Sequence, residues 1–290
     1  MQIFSIRDIE NLTGVKAHTL RIWEQRYKFF QPKRKESQHR FYDNEDLKKL
    51  LRVSYLYHNG WKISKIAAMA DSMIAETIAG AEVTDGEYKK SVTLMIEAAV
   101  DFNESRIIGM LNDIVEKIGF ERCITEVCYP FLQKIGLLWS TNNVIPAQEH
   151  FSSYIIQNRI IVETEKLPFH DRTPEVMLIC PEGEYHELPL LFINYLLKKQ
   201  GRSTVYLGSN ILKSEVVEAA SVSGIRYLYL HLITNFTGLY ADDYLEEICR
   251  SLPDKKILAS GQGIKNVQRN FVNLRLLKTD QEIRDFVSSL

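Results

Sequence analysis

The sequence predicts three parts: a small helical domain with a hairpin, a four-helix bundle, and a doubly wound parallel sheet of Rossmann-like type. Helical periodicity with short turns dominates residues 1–72, and helical periodicity without strand-like alternation fills residues 76–168. Short apolar strands alternate with helices over residues 174–290. The polar segment 167–174 contains two prolines and is predicted to be a linker. The 290 residues are enough for two or three domains.

The first domain is predicted from two short helices followed by a basic hairpin. Ser5 and Asp8 have the spacing of a capping box, and Thr13-Gly14 forms the turn before the second helix, Lys16–Arg26. Two extended arms with five basic residues follow this helix. Further helices are predicted at Asp46–Tyr57 and Ser64–Ala70.

The charges are divided unevenly along the chain. Residues 1–65 hold 14 Lys and Arg against 7 Asp and Glu, whereas the remaining residues hold 22 against 30. A basic end on an acidic remainder is typical of a protein that contacts nucleic acid through one end. A solvated charged face would explain the helix or the hairpin taken alone. Their combination in this order favours binding of double-stranded DNA.

The composition favours a cytoplasmic location. Four cysteines without CxxC spacing are expected to be reduced core residues: Cys123, Cys128, Cys180 and Cys249. No signal-peptide pattern follows Met1, and the longest apolar stretch, Leu188–Leu197, is too short to span a bilayer. We therefore expect no membrane partner.

The α/β part directs attention to the carboxyl ends of its strands, where ligands bind in doubly wound sheets. The residues of interest follow Cys180, Leu207, Leu230 and Ala259. The predicted strands are Val176–Cys180, Thr204–Leu207, Ile225–Leu230, Lys256–Ala259 and Leu274–Leu277.

A histidine lies directly after the first of these strands. Glu184 precedes His186 by two positions, so its carboxylate can accept one ring N–H and leave the other nitrogen for a metal. Taken alone, a loop histidine is more often an ordinary surface or helix-cap residue. The spacing therefore identifies His186 as a candidate metal ligand, but it does not distinguish a ligand from an ordinary surface or helix-cap histidine.

The first domain, residues 1–72, is called the head. It resembles the winged helix-turn-helix of MerR-family transcription regulators over about 70 residues. The matching patterns are Leu20-Arg21-x-Trp23-Glu24-x-x-Tyr27, Pro32-x-Arg34 and Arg40-Phe41-Tyr42. The resemblance implies a dimer on a near-palindromic promoter site. It places Lys16, His18 and Thr19 near bases, and the wing and helix residues Arg21, Lys33, Arg34, Arg40 and Tyr42 on the phosphate backbone. The long dimerisation helix common in that family has no counterpart in this sequence, so another element must hold the oligomer together.

The α/β part resembles a cobalamin-binding domain. The matching patterns are Glu184-x-His186, Leu207-Gly208-Ser209 and Ser260-Gly261-Gln262-Gly263. By this resemblance, His186 is the lower axial cobalt ligand and hence the metal site. The small residues Gly208, Ser209, Gly261 and Gly263 admit the nucleotide tail of the cofactor. Pro189 stands where the pattern normally ends in Gly.

The bundle carries a further match. Trp139, Glu149 and His150 have the spacing of the helical cap in photosensory MerR regulators of the CarH/LitR type, so the resemblance covers essentially the whole chain. It implies adenosylcobalamin between bundle and α/β domain, with these three residues sheltering the adenosyl group. Ser140 stands where some members carry a histidine. Periodicity alone would explain the three residues as one core tryptophan and a polar helix surface.

The predicted function is therefore a cobalamin-dependent, light-responsive transcription repressor that acts as a homo-oligomer, dimer or tetramer. One alternative is a MerR-type regulator that has lost cobalamin and acts through protein contacts, which Pro189 and Ser140 favour. A second is a corrinoid methyl-carrier protein, against which the basic head argues. The sequence contains no Ser-His-Asp, phosphate-loop or paired-carboxylate pattern, so no enzymatic activity is predicted. Operator, target genes, and light as opposed to cobalamin sensing stay open.

Overall fold

The computed structural model describes residues 4–27, 33–34, 40–80, 88–140, 146–170, 172–222, 224–233 and 241–290. At residues 33–34, 79–80, 137–140 and 222 it describes the backbone but not the side chains. The chain forms two compact units, Met1–Ile155 and Ile156–Leu290. Their boundary lies upstream of the linker predicted at 167–174. Each unit is described by itself.

The first unit begins with the two helices and the hairpin that the sequence predicts. Ser5 caps the first helix, because its hydroxyl accepts the Asp8 N–H while the Asp8 carboxylate accepts the Ser5 N–H, which confirms the capping box. Gly14 ends this helix at a φ of 71°. The elements are α1 (Ile6–Thr13), α2 (Ala17–Tyr27), the antiparallel pair β1 (Lys33–Arg34) and β2 (Arg40–Phe41), and α3 (Asn44–His58).

Helices make up the rest of the first unit wherever the structure describes it, as the absence of alternation predicted. They are α4 (Ile63–Ala67), α5 (Asp71–Gly80), α6 (Lys89–Val100), α7 (Glu104–Ile118), α8 (Phe120–Arg122), a π-helical segment (Cys123–Cys128), α9 (Tyr129–Ser140) and α10 (Pro146–Glu165), which runs into the second unit. Ile96, Ile107 and Phe131 lie in the bundle core.

Helix α3 packs against the bundle through a buried ion pair. The Glu97 carboxylate in α6 is fully buried and accepts from Arg52 Nε at 2.9 Å and Arg52 Nη2 at 2.8 Å. Arg106 of α7 approaches the same carboxylate at 3.5 Å. A second attachment runs from Lys134 Nζ of α9 to the Leu12 carbonyl oxygen of α1, at 3.4 Å. The N-terminal helices are therefore fastened to the bundle by charged and polar contacts as well as apolar packing.

The second unit is a doubly wound parallel sheet, which confirms the predicted fold class. The sheet order is β4-β3-β5-β6-β7, and helices follow most of the strands. The elements are β3 (Val176–Pro181), α11 (Leu188–Lys199), β4 (Thr204–Ile211), α12 (Lys213–Val222), β5 (Tyr227–His231), α13 (Ala241–Ser251), β6 (Lys256–Ser260), β7 (Leu274–Leu277) and α14 (Asp280–Ser289). The strand order reverses between β3 and β5, and ligands of such sheets bind at this point.

Strands β4, β5 and β6 end later than predicted at the carboxyl edge of the sheet, where ligands of doubly wound sheets bind. β4 continues to Ile211, because register shifts in its pairing with β3 accommodate Gly208 at a φ of 87° and Asn210 at 58°. β5 and β6 each end one residue later than predicted, at His231 and Ser260. Gly208 and Ser209 therefore lie within β4. His231 and Ser260 are the last residues of the neighbouring strands β5 and β6.

All four cysteines are buried, as predicted for core residues. Over the part of the chain that the structure covers, none of the helices has both the length and the apolar character that a membrane crossing needs.

Candidate metal-ligating site and nucleic-acid interface

His186 lies in the loop after β3, at the point where the strand order reverses. Its side chain is 44% exposed, and its ring Nδ1 is 2.7 Å from Oε1 of Glu184, which is 1% exposed. The predicted pair is therefore present, with the carboxylate inside and the imidazole facing outward. Both residues precede α11, where Pro189 occupies the first turn and is tolerated because that turn needs no N–H.

The Glu184 carboxylate is held from three directions. Oε1 also accepts the His186 backbone N–H at 3.0 Å, and Oε2 accepts the Ile233 N–H at 2.9 Å, from the segment after β5. A buried carboxylate facing Nδ1 favours the proton on that nitrogen, so the ring lone pair lies on Nε2. His186 is thus oriented with Nε2 directed away from Glu184, where it can ligate a metal.

Asn210 fixes the loop that carries His186. Its side-chain oxygen accepts the Gly183 N–H at 2.9 Å, and its own N–H donates to the Glu184 carbonyl at 3.0 Å. Asn210 was not among the residues predicted from the sequence. Its only local signal is the ability of asparagine to adopt the positive φ found there.

The last residue of β5 is a second histidine, His231, which was not predicted from the sequence. His231 is buried, and its Nδ1 is 2.8 Å from the Ser260 hydroxyl, which also accepts from the Tyr229 hydroxyl at 2.7 Å. Burial lowers the pKa of His231 to about 4, the nearby Glu184 carboxylate opposes that shift, and His186 adds to it. His231 is therefore neutral at neutral pH.

Gly208 lies against a small polar cluster. A Cβ at this position would be 3.3 Å from Oε2 of Glu187, which accepts from the Tyr206 hydroxyl at 3.3 Å. Burial and the Glu187 charge raise the pKa of Tyr206, so its hydroxyl stays protonated. The neighbouring Ser209 is half-buried.

Gly261 and Gly263 are required by packing within the sheet edge. A Cβ at Gly261 would be 2.1 Å from the Leu232 carbonyl oxygen, and the φ of 98° is one that side chains rarely adopt. The Gly263 N–H donates to the same oxygen at 2.8 Å. A Cβ at Gly263 would be 3.0 Å from the Leu232 Cβ. These close approaches explain both glycines without any ligand, and the predicted contact with a nucleotide tail stays a prediction.

The predicted cap residues lie at the junction of α9 and α10. Trp139 belongs to α9, but its side chain lies outside the described part of the structure. Glu149 and His150 lie in the first turn of α10, where His150 Nδ1 is 3.2 Å from Glu149 Oε2 and the histidine side chain is 67% exposed. Gln148 anchors this turn by donating to the Val100 carbonyl at 2.8 Å.

Helix α2 has the surface that DNA recognition requires. Leu20 and Trp23 are buried against the rest of the head. The predicted base-contacting residues lie on the other face: Lys16 and His18 are exposed and Thr19 is half-buried, with Arg21 exposed beside them. Lys16 also pairs with Glu10 at 3.1 Å, a contact that an exposed lysine can exchange for a phosphate.

Of the four hairpin residues predicted to contact DNA, the structure describes the side chains of the last two. Arg34 pairs with Arg40 in the β1–β2 register, although the side chains of Lys33 and Arg34 lie outside the described residues. Arg40 Nε donates to Glu24 of α2 at 2.9 Å. Tyr42 is fully buried, and this burial raises its pKa to about 12. Its position favours packing of the hairpin base over the predicted phosphate contact.

We expect Tyr42→Phe and Arg21→Ala to affect DNA binding differently. Arg21→Ala removes an exposed cation, so the slope of log affinity against log salt concentration should fall by about 0.9. Tyr42→Phe removes only a buried hydroxyl and should leave that slope unchanged. Promoter binding measured over a series of salt concentrations tests both. A reduced slope for Tyr42→Phe would restore its predicted phosphate contact.

Two protein-family models match parts of the chain. Residues 4–73 match the MerR HTH family regulatory protein family, and residues 93–162 match the B12 binding domain. The chain is therefore similar to MerR regulators over its first domain and to B12 binding domains over its bundle. The first match covers the head and hairpin, and the second covers α6 to α10.

Two curated relatives of this chain are transcriptional repressors of Myxococcus xanthus. It is 23% identical to the HTH-type transcriptional repressor CarH over 86% of this chain and 85% of CarH. It is 28% identical to the HTH-type transcriptional repressor CarA over 71% of this chain and 68% of CarA.

One solved structure has a fold similar to that of this chain over part of its length. The monomethylamine corrinoid protein of Methanosarcina barkeri superposes with a TM-score of 0.53 and 16% sequence identity. The match covers 67% of this chain and 95% of the corrinoid protein. At that identity the likeness establishes the architecture alone.

Proposed function

We propose that this protein is a MerR-type repressor whose promoter binding depends on adenosylcobalamin and is ended by light. The observation that carries the proposal is the Glu184–His186 pair, because it presents an oriented imidazole at the reversal point of the sheet. The CarH and CarA relatives support the assignment as a repressor.

The donor set fits cobalamin better than a bare metal ion. A corrin would bring four nitrogen ligands of its own, so the protein would need to add a single ligand. A protein site for a bare transition metal instead gathers three or more side chains. Among the residues that the structure describes, no group of three or more His, Cys, Asp or Glu side chains has such an arrangement. His186 Nε2 would supply the ligand from the protein.

The remaining site residues are proposed from the resemblance. Trp139, Glu149 and His150 would cover the adenosyl group, and Gly208 with Ser209 would border the nucleotide tail. Exposure of His150 in α10 is compatible with a ligand contact.

Adenosylcobalamin, when bound, supplies a cobalt–carbon bond that light breaks. The residues of the chain convert its presence into affinity for DNA: His186 and the cap residues favour the conformation that assembles the oligomer. Two DNA-binding heads held in one assembly bind a two-part site far more tightly than one head does. This coupling takes the place of the dimerisation helix that the sequence lacks. We propose that the protein works in the cytoplasm, as a homo-oligomer.

Loading of the purified protein with adenosylcobalamin in the dark tests the cofactor. The wild type should stay red after removal of excess cofactor, and His186→Ala should lose the colour. His18→Ala is the matched control, because it removes an exposed histidine from the head and should stay red. A colourless wild type would instead favour the alternative in which the α/β domain acts only through protein contacts.

Promoter binding tests regulation. In a gel shift with adenosylcobalamin, we expect a complex in the dark that is lost on illumination. Methylcobalamin separates recognition of the adenosyl group from recognition of the corrin. A red protein without promoter binding would favour the corrinoid methyl carrier. Binding that ignores light but requires cobalamin would reduce the proposal to a cobalamin sensor.

A further inference from the structure

We propose that His231 and Ser260 are positioning residues that hold Glu184, and through it His186, in the orientation needed for ligation. The inference rests on the proposed cobalamin function for its consequence but on the contacts of the α/β unit for its geometry. It links three strand ends, those of β3, β5 and β6, into one support for the ligand.

The first link is between Glu184 and the segment after β5. Glu184 Oε2 accepts the Ile233 N–H at 2.9 Å, while Oε1 faces the His186 ring and backbone. A carboxylate held at one oxygen alone can rotate about its last bond. The Ile233 N–H therefore fixes the plane of the carboxylate, and that plane sets the direction of the imidazole.

The second link fixes Ile233 itself, through the two residues before it. The Leu232 N–H donates to the Ser260 carbonyl at 3.0 Å, and the Leu232 carbonyl accepts the Gly263 N–H at 2.8 Å. One residue earlier, the His231 ring is 2.8 Å from the Ser260 hydroxyl. Side chain and backbone of Ser260 thus hold this segment together.

The His231–Ser260 contact is a fixed hydrogen bond. Ser260 has one proton to donate and can accept two hydrogen bonds, one of which comes from Tyr229. The remaining capacity of Ser260 satisfies Nδ1 of a neutral His231 in either tautomer. Both residues are buried, so loss of either partner leaves an unsatisfied polar group that must move or take up water.

Three substitutions separate positioning from plain packing. His231→Leu removes the contact with Ser260, whereas His231→Asn keeps a polar atom near the position of Nδ1. Tyr229→Phe is the matched control, because it removes another buried hydrogen bond of the same cluster but leaves His231 on Ser260.

The first readout needs no cofactor. In the cofactor-free protein, amide exchange of Ile233 measures its hydrogen bond to Glu184. His231→Leu should accelerate that exchange about tenfold more than Tyr229→Phe does, a change that corresponds to about 1.4 kcal/mol. Equal exchange in the two variants overturns the proposal, whether or not the protein binds cobalamin.

The second readout is ligation of the cofactor-loaded protein. Electron paramagnetic resonance of the cobalt(II) form of protein made with ¹⁵N-labelled histidine distinguishes a histidine ligand from the cofactor's own base. We expect the ¹⁵N splitting in wild type, Tyr229→Phe and His231→Asn, and a lower ligated fraction in His231→Leu. Full ligation in His231→Leu overturns the positioning role. Absence of the splitting in wild type refutes the proposed function instead, and the exchange measurement then still decides the geometry.

Discussion

The Arg52→Met variant is expected to lower the free energy of unfolding of the first unit by about 3–5 kcal/mol. The substitution preserves most of the side-chain volume but leaves the Glu97 carboxylate buried, with only the more distant Arg106 beside it. Urea unfolding followed by tryptophan fluorescence measures this effect in the whole chain. All three tryptophans, Trp23, Trp61 and Trp139, lie in the first unit.

Two further variants make this test specific. Lys49→Met removes another ion pair of α3, with Asp71, which is 63% exposed, and should cost about 0.5 kcal/mol. The double variant Arg52→Met with Glu97→Leu should recover most of the lost stability, because no buried charge is then left without its partner. Equal losses for Arg52→Met and Lys49→Met would show that the pair is effectively solvated.

The Gly261→Ala variant is expected to destabilise the edge of the sheet by about 3 kcal/mol or more. Gly261 combines a φ of 98° with a ψ of 178°, a region that essentially only glycine occupies. The added methyl would also lie 2.1 Å from the Leu232 carbonyl oxygen, so the segment after β5 must move. Hydrogen exchange of β5 and β6 in the full chain should therefore speed up.

Gly109→Ala provides the control for Gly261→Ala. Gly109 lies within α7, and a Cβ there meets nothing within 4 Å. Alanine at this position should stabilise the helix by about 1 kcal/mol, the opposite sign. Wild-type exchange of β5 and β6 in Gly261→Ala would mean that Leu232 can move aside at little cost.

Local patterns predicted most of the fold. Ser5 and Asp8 of the capping box are three positions apart, and the alternation of strand and helix is visible directly in the sequence, so both were predicted correctly. The length of β4 was not, because its last residues pair with β3 across register shifts that no local pattern records. The ion pair of Arg52 with Glu97 joins residues 45 positions apart, and only the packing of α3 on α6 creates it.

In the candidate site, too, contacts between residues close in sequence could be predicted, and contacts between distant residues could not. Glu184 and His186 are two positions apart, so their pairing could be predicted from spacing. The contacts of Glu184 with Ile233 and of His231 with Ser260 depend on strand neighbours and backbone groups, which carry no sequence signal. Tyr42 matched a family pattern, yet its burial depends on how the hairpin base packs against the head.

The Arg52–Glu97–Arg106 contact limits how this regulator can be re-engineered. A chimera that transplants residues 1–72 onto another sensor would separate Arg52 from its carboxylate and would leave Glu97 behind without its bidentate partner. The smallest transferable cassette must therefore include α6 and α7, up to Ile118. In this chain the promoter-reading part ends structurally well beyond the point where its sequence motif ends.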